Sequence, residues 1–456
     1  MLEPACQADV VIVGAGAAGL SAAHRLNSAG VTTVVLEAAP HVGGRMTTEK
    51  VDGFRLDRVG RLLSTSYPGL RTTPGLDALA LRPFSPGVLV HAEGRVHRAG
   101  EPASAGGTRG ALDAARAFVS PPRWTRQRAT AAAPPVSRAF PPLGGALDQA
   151  RLATALGRIA TAPVERLPAR PERPAGRALA ARGMPARTVE GFLRPLLAAL
   201  LCDPDLTTSS RCADLALRTF ASGRLCVPEG GADTLPELLA AALPPGTVRT
   251  GVRVTSVSTT SVTTAAHGEL RCRAVLVATG ARAAAELLPG LRVPPFHPVT
   301  VVHHTTDEPP IADAALLLDA DRRGPVAHTA VISQVDPSRA PVGRALISST
   351  VLGAPPTDTD RTVRAHLAAL YGTATHRWEL LAVHHTPDAV PAMPPPHDPR
   401  RPVRLLAGLY VCGDHRDTST VQGTLRSGHR AATALLADLG VDSTAAAAPV
   451  PTSTAA

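Results

Sequence analysis

Gly14-Ala15-Gly16-Ala17-Ala18-Gly19 lies between the apolar run DVVIV at 9–13 and the helix-forming stretch SAAHRLNSA, and this placement constrains the fold more than any other feature. Gly14 permits a tight turn, Gly16 lets the backbone approach a pyrophosphate, and Gly19 lets helix and strand pack closely. The helix N-terminus then faces the phosphates. Gly30 stops the helix at a C-cap position. A second strand, TTVVLEA at 32–38, ends near Glu37, whose carboxylate can accept hydrogen bonds from ribose hydroxyls. Together these parts predict a β–α–β dinucleotide unit, with Gly14, Ala15, Gly16, Ala18, Gly19 and Glu37 on the cofactor. Nothing in that unit separates FAD from NAD.

Two further motifs narrow the choice. Gly43-Gly44-Arg45-Met46 follows the second strand directly, and an arginine fork suits phosphate oxygens. Near the other end, Gly408-Leu409-Tyr410-Val411-Cys412-Gly413-Asp414 reads as a strand and loop, with Val421-Gln422-Gly423 at a helix start. The set resembles the superfamily of FAD-dependent amine oxidases, phytoene desaturases and protoporphyrinogen oxidases. The resemblance spans about residues 9–440, except for 76–150, where no pattern aligns.

It implies non-covalent FAD, with Gly43 and Gly44 near the cofactor, Arg45 at the pyrophosphate and Asp414, after Gly413, on the ribityl–pyrophosphate part. It also implies that the helix beginning at Val421 and Gln422 points its positive end at the flavin. GFRLDRVGRLLSTSYP at 53–68 is similar to a family segment, with Val59 standing where the family has Gly. The resemblance assigns Gly60, Arg61 and Leu62 to the flavin side. It gives Val254, with Val252 as rival, to a backbone contact with adenine. In relatives covalent attachment uses a cysteine near the C-terminal motif; the one cysteine there, Cys412, lies inside the strand.

Family members that oxidise amines place a lysine at flavin N5 and bracket the amine with two aromatic rings. The only lysine here is Lys50, just past the arginine motif, and Trp378, Tyr371 and Tyr410 are the aromatic choices in the last third. The resemblance therefore implies poor oxidation of simple primary amines. His384 and His415 are candidate catalytic groups: one lies near where relatives line the substrate site, the other follows Asp414. Adjacent strand residues point to opposite faces, so only one of His384 and His385 can face a cavity. No nucleophilic triad and no metal-ligand spacing is readable.

A helical pattern runs over about 147–220, and 225–243 reads as a turn and a helix. GVRVTSV at 251–257, AVLVATG at 274–280, PVTVVHH, TAVISQV and RALISST read as strands, and 358–371 as a helix. The predicted fold class is α/β. A discontinuous Rossmann-like FAD-binding domain of the GR2 type takes 1–75, 222–292 and 400–441. A helical and mixed-sheet substrate domain takes 76–221 and 293–399, and 442–456 is a disordered tail.

The six cysteines form no C-x-x-C pair, which fits free thiols. The formal charge of +10 concentrates in 121–200, which holds 13 arginines against four acids. Without a recognisable nucleic-acid module, this stretch argues against nucleic-acid binding. Trp124 among Arg123, Arg126 and Arg128 suits a peripheral contact with an anionic membrane. The strand at 9–13 leaves no room for a signal peptide, and no apolar run reaches the ~18 residues of a spanning helix, so a cytoplasmic location is expected. The sequence points to an oxidoreductase that passes a hydride from a small or lipophilic organic substrate to the flavin, by desaturation or amine-type oxidation. A non-redox flavin isomerase or mutase, or a non-catalytic FAD-binding partner protein, remain the alternatives.

Overall fold

The structure is a computed structural model that describes residues 8–100, 146–161 and 171–441. Trp124, Arg123, Arg126 and Arg128, and the tail at 442–456, lie outside the described residues.

A six-stranded sheet runs in the order Val248–Arg249, Thr33–Leu36, Val10–Val13, Ala274–Val277, Leu409–Val411 and Arg404–Leu406. All its neighbours are parallel except the last pair. Every residue of Val10–Val13 is buried, as a central parallel strand covered on both faces requires. Val10 and Ile12 face the helix Ala17–Asn27 and the helix Val421–Asp438. Val11 and Val13 face a three-stranded antiparallel meander at 254–271. The two helices approach so closely that a side chain at Gly428 would strike the carbonyl of Ala18.

A seven-stranded sheet carries the second body, in the order Glu379–Pro391, Phe296–Thr306, Ala345–Leu352, Val326–Val331, Leu317–Asp319, Val88–Ala92 and Arg95–Ala99. It is antiparallel apart from the pairing of Leu317–Asp319 with Val88–Ala92. Helices Ala146–Thr161, Ala175–Ala181, Arg194–Leu201 and Ser210–Ser222 cover it, with the π-helical turn Val189–Leu193 ahead of the third, burying Phe192, Leu196 and Leu197 against Val88, Val90 and Leu318. No helix among the described residues is long and apolar enough to cross a membrane.

The α/β class and most elements follow the sequence reading. Three details differ. Leu225–Pro228 is a buried strand rather than a turn, held between Leu63–Ser64 and Leu81–Pro83. TAVISQV is a strand only to Val331; Ile332–Val335 turn helical, and Asp336 accepts from the backbone of Ser338. Such an Asx contact competes with a strand ladder. The strand at 251–257 begins only at Val254, because Gly251 and Val252 donate instead to the carbonyls of Ala39 and Glu37.

Candidate functional site

The glycine loop follows from the packing. Gly14 has φ +109° and donates its amide to the carbonyl of Leu36, so the chain turns sharply off the strand. A side chain at Gly19 would collide with the carbonyl of Gly14 and press on Ala278 and Ile12. A side chain at Gly16 would meet no protein atom within 4 Å, although Gly16 lines a cleft. Gly16 therefore keeps open space rather than close packing. Glu37 Oε2 accepts from the amide of Ala15 at 2.8 Å and Oε1 from that of Ala39 at 2.9 Å. These bonds fix the carboxylate at the loop and leave each oxygen further acceptor capacity.

The cleft has a volume of about 490 Å³. Gly14, Gly16, Ala18, Glu37, Gly43, Gly44, Arg45, Arg61, Gly413, Asp414 and Val421 all line it, out of stretches far apart in sequence. Arg45 is its strap. Its Nη2 donates to Asp414 Oδ1 at 2.7 Å, and its Nη1 donates to the carbonyl of Ala389 at 2.8 Å. Burial alone would push the Asp414 carboxyl up, but the charge and hydrogen bond of Arg45 outweigh it and hold the group below its ordinary value. The helix Val421–Asp438 opens at the same place: Thr420 Oγ1 accepts from the amide of Gly423 at 3.0 Å.

Other sequence candidates fall elsewhere. Ala15 is buried with its amide on Glu37, and Gly19 lies in the helix–strand contact. Gly60 and Leu62 border a small separate void of about 40 Å³ that His303 and His328 also line. Gln422 turns away from the cleft, and its Oε1 accepts from the amide of Gly69 at 2.8 Å. Val254 starts the meander, whereas the amide of Val252 is the one bonded to Glu37.

The two candidate histidines do not reach the cleft lining either. His384 Nε2 lies 2.9 Å from Glu49 Oε2, with its ring 5.5 Å from that of His303. His384 is buried and His385 exposed, as strand alternation demands. His415 is buried with neither ring nitrogen hydrogen-bonded among the described residues. Burial pushes it down to about 4, against the pull of Asp414.

Sequence reasoning treated His384 and His385 as adjacent strand residues but did not see that their strand, Glu379–Pro391, closes the cleft with Thr386, Asp388 and Ala389. It also missed Arg339, fully buried, whose Nη2 lies 3.1 Å from Asp57 Oδ2. Asp57, the acid of the GFRLD segment, also accepts from Thr48 and from the amide of Ala232, and its contact with Arg339 is what ties that segment to the loop after the strand Val326–Val331. A lone arginine in a polar loop carries no sequence signal for such a role.

A second cavity of about 290 Å³ adjoins the cleft. One strip of chain separates them: Ser419, Thr420 and Val421 line the cleft, and Thr418, Thr420 and Gln422 line the cavity. Its far wall is the helix Ser210–Ser222. Trp378 and Tyr371 pack on each other, ring centroids 6.0 Å apart, in the core of the seven-stranded sheet and border neither space. Tyr410 is fully buried, its hydroxyl on Asp438.

A largely parallel sheet whose glycine turn, acidic strand end and C-terminal helix meet at one cleft defines an α/β protein of the Rossmann-like class. The sequence profile of the flavin-containing amine oxidoreductases matches residues 17–436, and the chain belongs to that family. Over 62 residues it is 52% identical to putrescine oxidase of Kocuria rosea, covering 14% of this chain and 13% of that protein. Over 64 residues it is 38% identical to pseudooxynicotine dehydrogenase of a Pseudomonas species, again 14% and 13%. The chain thus matches 13% of the length of these curated relatives. Solved structures extend the likeness of fold. A double mutant of putrescine oxidase superposes with TM-score 0.64 at 19% identity, over 95% of this chain and 100% of that one. An oxidoreductase from Methanosarcina mazei gives 0.67 at 17%, over 93% and 99%. Cyclohexylamine oxidase from Brevibacterium oxydans gives 0.66 at 18%, over 95% and 99%.

Proposed function

We propose that the chain is an FAD-dependent oxidoreductase that holds its flavin non-covalently in the glycine-walled cleft and oxidises a small or lipophilic organic molecule lodged in the adjoining cavity. The observation that carries this reading is convergence. The Gly14–Gly19 loop, Glu37 and the Gly43-Gly44-Arg45 turn meet Gly413, Asp414 and Val421 around one space. The residues fit the cofactor. The open space over Gly16 suits a pyrophosphate, Glu37 retains acceptors for ribose hydroxyls, and Arg45 and Asp414 stand where the ribityl–pyrophosphate part would lie. The two-body division at 1–75, 222–292 and 400–441 against 76–221 and 293–399 is supported by the separate membership of the two large sheets.

Bound there, the flavin supplies the acceptor for the substrate's hydride and passes the electrons to oxygen or another acceptor. The chain does the remainder. Thr420 and the start of the helix Val421–Asp438 turn a positive helix end toward the wall shared by the two spaces. Leu62, Leu63, Leu201 and Phe220 exclude water from the cavity. Non-covalent binding is supported by Cys412, whose thiol is fully buried in the core and pushed up to about 12 by burial.

Anaerobic mixing of purified yellow protein with candidate substrates tests the reading. Bleaching of the visible flavin band by an organic substrate is the expected result. A colourless protein that takes up no FAD, or turnover only after prior reduction of the flavin, would sink it.

A further inference from the structure

We propose that the second cavity takes an uncharged, largely apolar molecule with one oxygen acceptor, which Tyr67 and Gln422 hold by neutral hydrogen bonds; the inference rests on the oxidoreductase reading only for the claim that this ligand is the substrate. The cavity, about 290 Å³, lies near the lower end of ligand-sized pockets, ~300–1,000 Å³. Leu62, Leu201, Leu215, Phe220 and Met393 form its apolar body. Its lining among the described residues holds no Asp or Glu. Its two arginines are committed to the wall. Arg426 gives both Nε and Nη2 to the buried carboxylate of Asp417. Arg218 gives Nη1 to the carbonyls of Ile159 and Ala160, at the C-terminal end of the helix Ala146–Thr161, where the negative helix end offsets its charge. The hydroxyls of Ser64, Ser66, Thr219 and Ser222 likewise donate to the carbonyls of Thr219, Leu215 and Arg218.

Tyr67 and Gln422 differ. Gln422 Oε1 accepts from the amide of Gly69 at 2.8 Å, which fixes the orientation of the side-chain amide and leaves Nε2 with two hydrogens to donate. The same bond seats Gln422 beside the short helical turn that follows Tyr67 and Pro68, so both side chains belong to one stretch of the lining. The Tyr67 hydroxyl makes no hydrogen bond among the described residues, and burial pushes it up to about 12, so it remains a donor across the neutral range. The consequence is selection by charge. An ammonium entering this space loses its hydration and meets no carboxylate, and a carboxylate meets guanidinium groups already bonded, so both are costly to bury. A ketone oxygen loses far less on leaving water and regains it from the two neutral donors.

The test compares four probes of similar bulk, 2-tetralone, tetralin, 2-aminotetralin as its ammonium and tetralin-2-carboxylate, on the purified holoprotein near neutral pH. Binding is read as a saturable rise in melting temperature and as perturbation of the flavin band. The ketone should bind best, with tetralin roughly three- to ten-fold weaker for want of an acceptor and both ions weaker than the ketone. Tyr67→Phe, which deletes only the hydroxyl, should bring the ketone close to tetralin and leave tetralin within two-fold. Gln422→Glu keeps the acceptor for Gly69, removes the donor and adds a negative charge, so the ketone should weaken and the ammonium should bind. An ion that binds the unaltered protein as well as the ketone, a ketone no better than tetralin, or no saturable rise with any probe overturns the proposal. The melting readout does not depend on the flavin, so a colourless preparation that still binds the ketone counts against the oxidoreductase reading alone.

Discussion

Arg45 Nη2 lies 2.7 Å from Asp414 Oδ1, although 369 positions separate the two residues in sequence. The cleft is closed by an ion pair between two side chains that the sequence assigns separately to one cofactor. Arg45 also reaches the carbonyl of Ala389, so a single guanidinium ties the glycine turn, the C-terminal loop and the second sheet together.

Asp414→Ala should therefore weaken FAD retention and lower stability at once. Removing a charged acceptor costs about 1.5–3 kcal/mol, or ~10–150-fold in affinity. Asp414→Asn keeps the shape and one acceptor, and should lie between wild type and Asp414→Ala. Isothermal titration of the apoprotein with FAD checks the order; equal affinity in all three would show that the pair does not reach the cofactor.

Gly16→Val and Gly19→Val should fail in different ways. At Gly16 the added side chain enters open cleft, so the protein should fold and purify with little or no flavin. At Gly19 it strikes the Gly14 carbonyl, so the central strand and helix cannot pack and soluble yield should collapse. Circular dichroism and the flavin-to-protein absorbance ratio separate the two. A flavin-replete Gly16→Val protein would contradict the assignment.

Acid should destabilise the fold below the ordinary histidine range. His328 and His415 are held at about 4 and His303 at about 3, each chiefly by burial. His303 faces Asp57, Arg339 and His384, and His415 faces Asp414, Arg416, Arg45 and Arg401. Folded values below 6.5 mean that the unfolded chain binds more protons. Stability is whole above about 6.5 and falls by up to ~1.4 kcal/mol per pH unit per group as pH drops toward 4. Asp414 acts in the same direction but in a lower window, its contribution persisting until pH falls below its ordinary 3.8. Urea midpoints at pH 7.5 and pH 5 measure the loss. His328→Gln should flatten the slope, and an unchanged slope would mean that this histidine is not buried neutral.

His384→Asn should leave turnover within about ten-fold of wild type, far less than loss of a general acid or base, worth ~10²–10⁴-fold. The reason is position: the ring is paired with Glu49 and does not line the cleft or the second cavity. Steady-state rates with any accepted substrate decide it, and a loss of a hundred-fold or more would return His384 to the reaction.

The sequence by itself determined the dinucleotide half of this protein. Its parts are local: a buried apolar strand, three glycines at fixed offsets and an acid at the next strand end each impose backbone geometry within a few residues. The long antiparallel sheet was partly legible, as alternation over Phe296–Thr306 and Ala345–Leu352. Only the tertiary structure decided which residues face the cleft. The pairing of strand Glu379–Pro391 with Phe296–Thr306, 74–95 positions away, and the buried partnership of Arg339 with Asp57, 282 positions away, are contacts about which periodicity carries no information. The same limit applies at single-residue resolution. Val421 faces the cleft while Gln422 turns to Gly69, and Arg61 reaches the cleft while Gly60 and Leu62 border another void. Each neighbour in sequence points to a different wall, and which wall is the site depends on how two sheets of separate membership pack together.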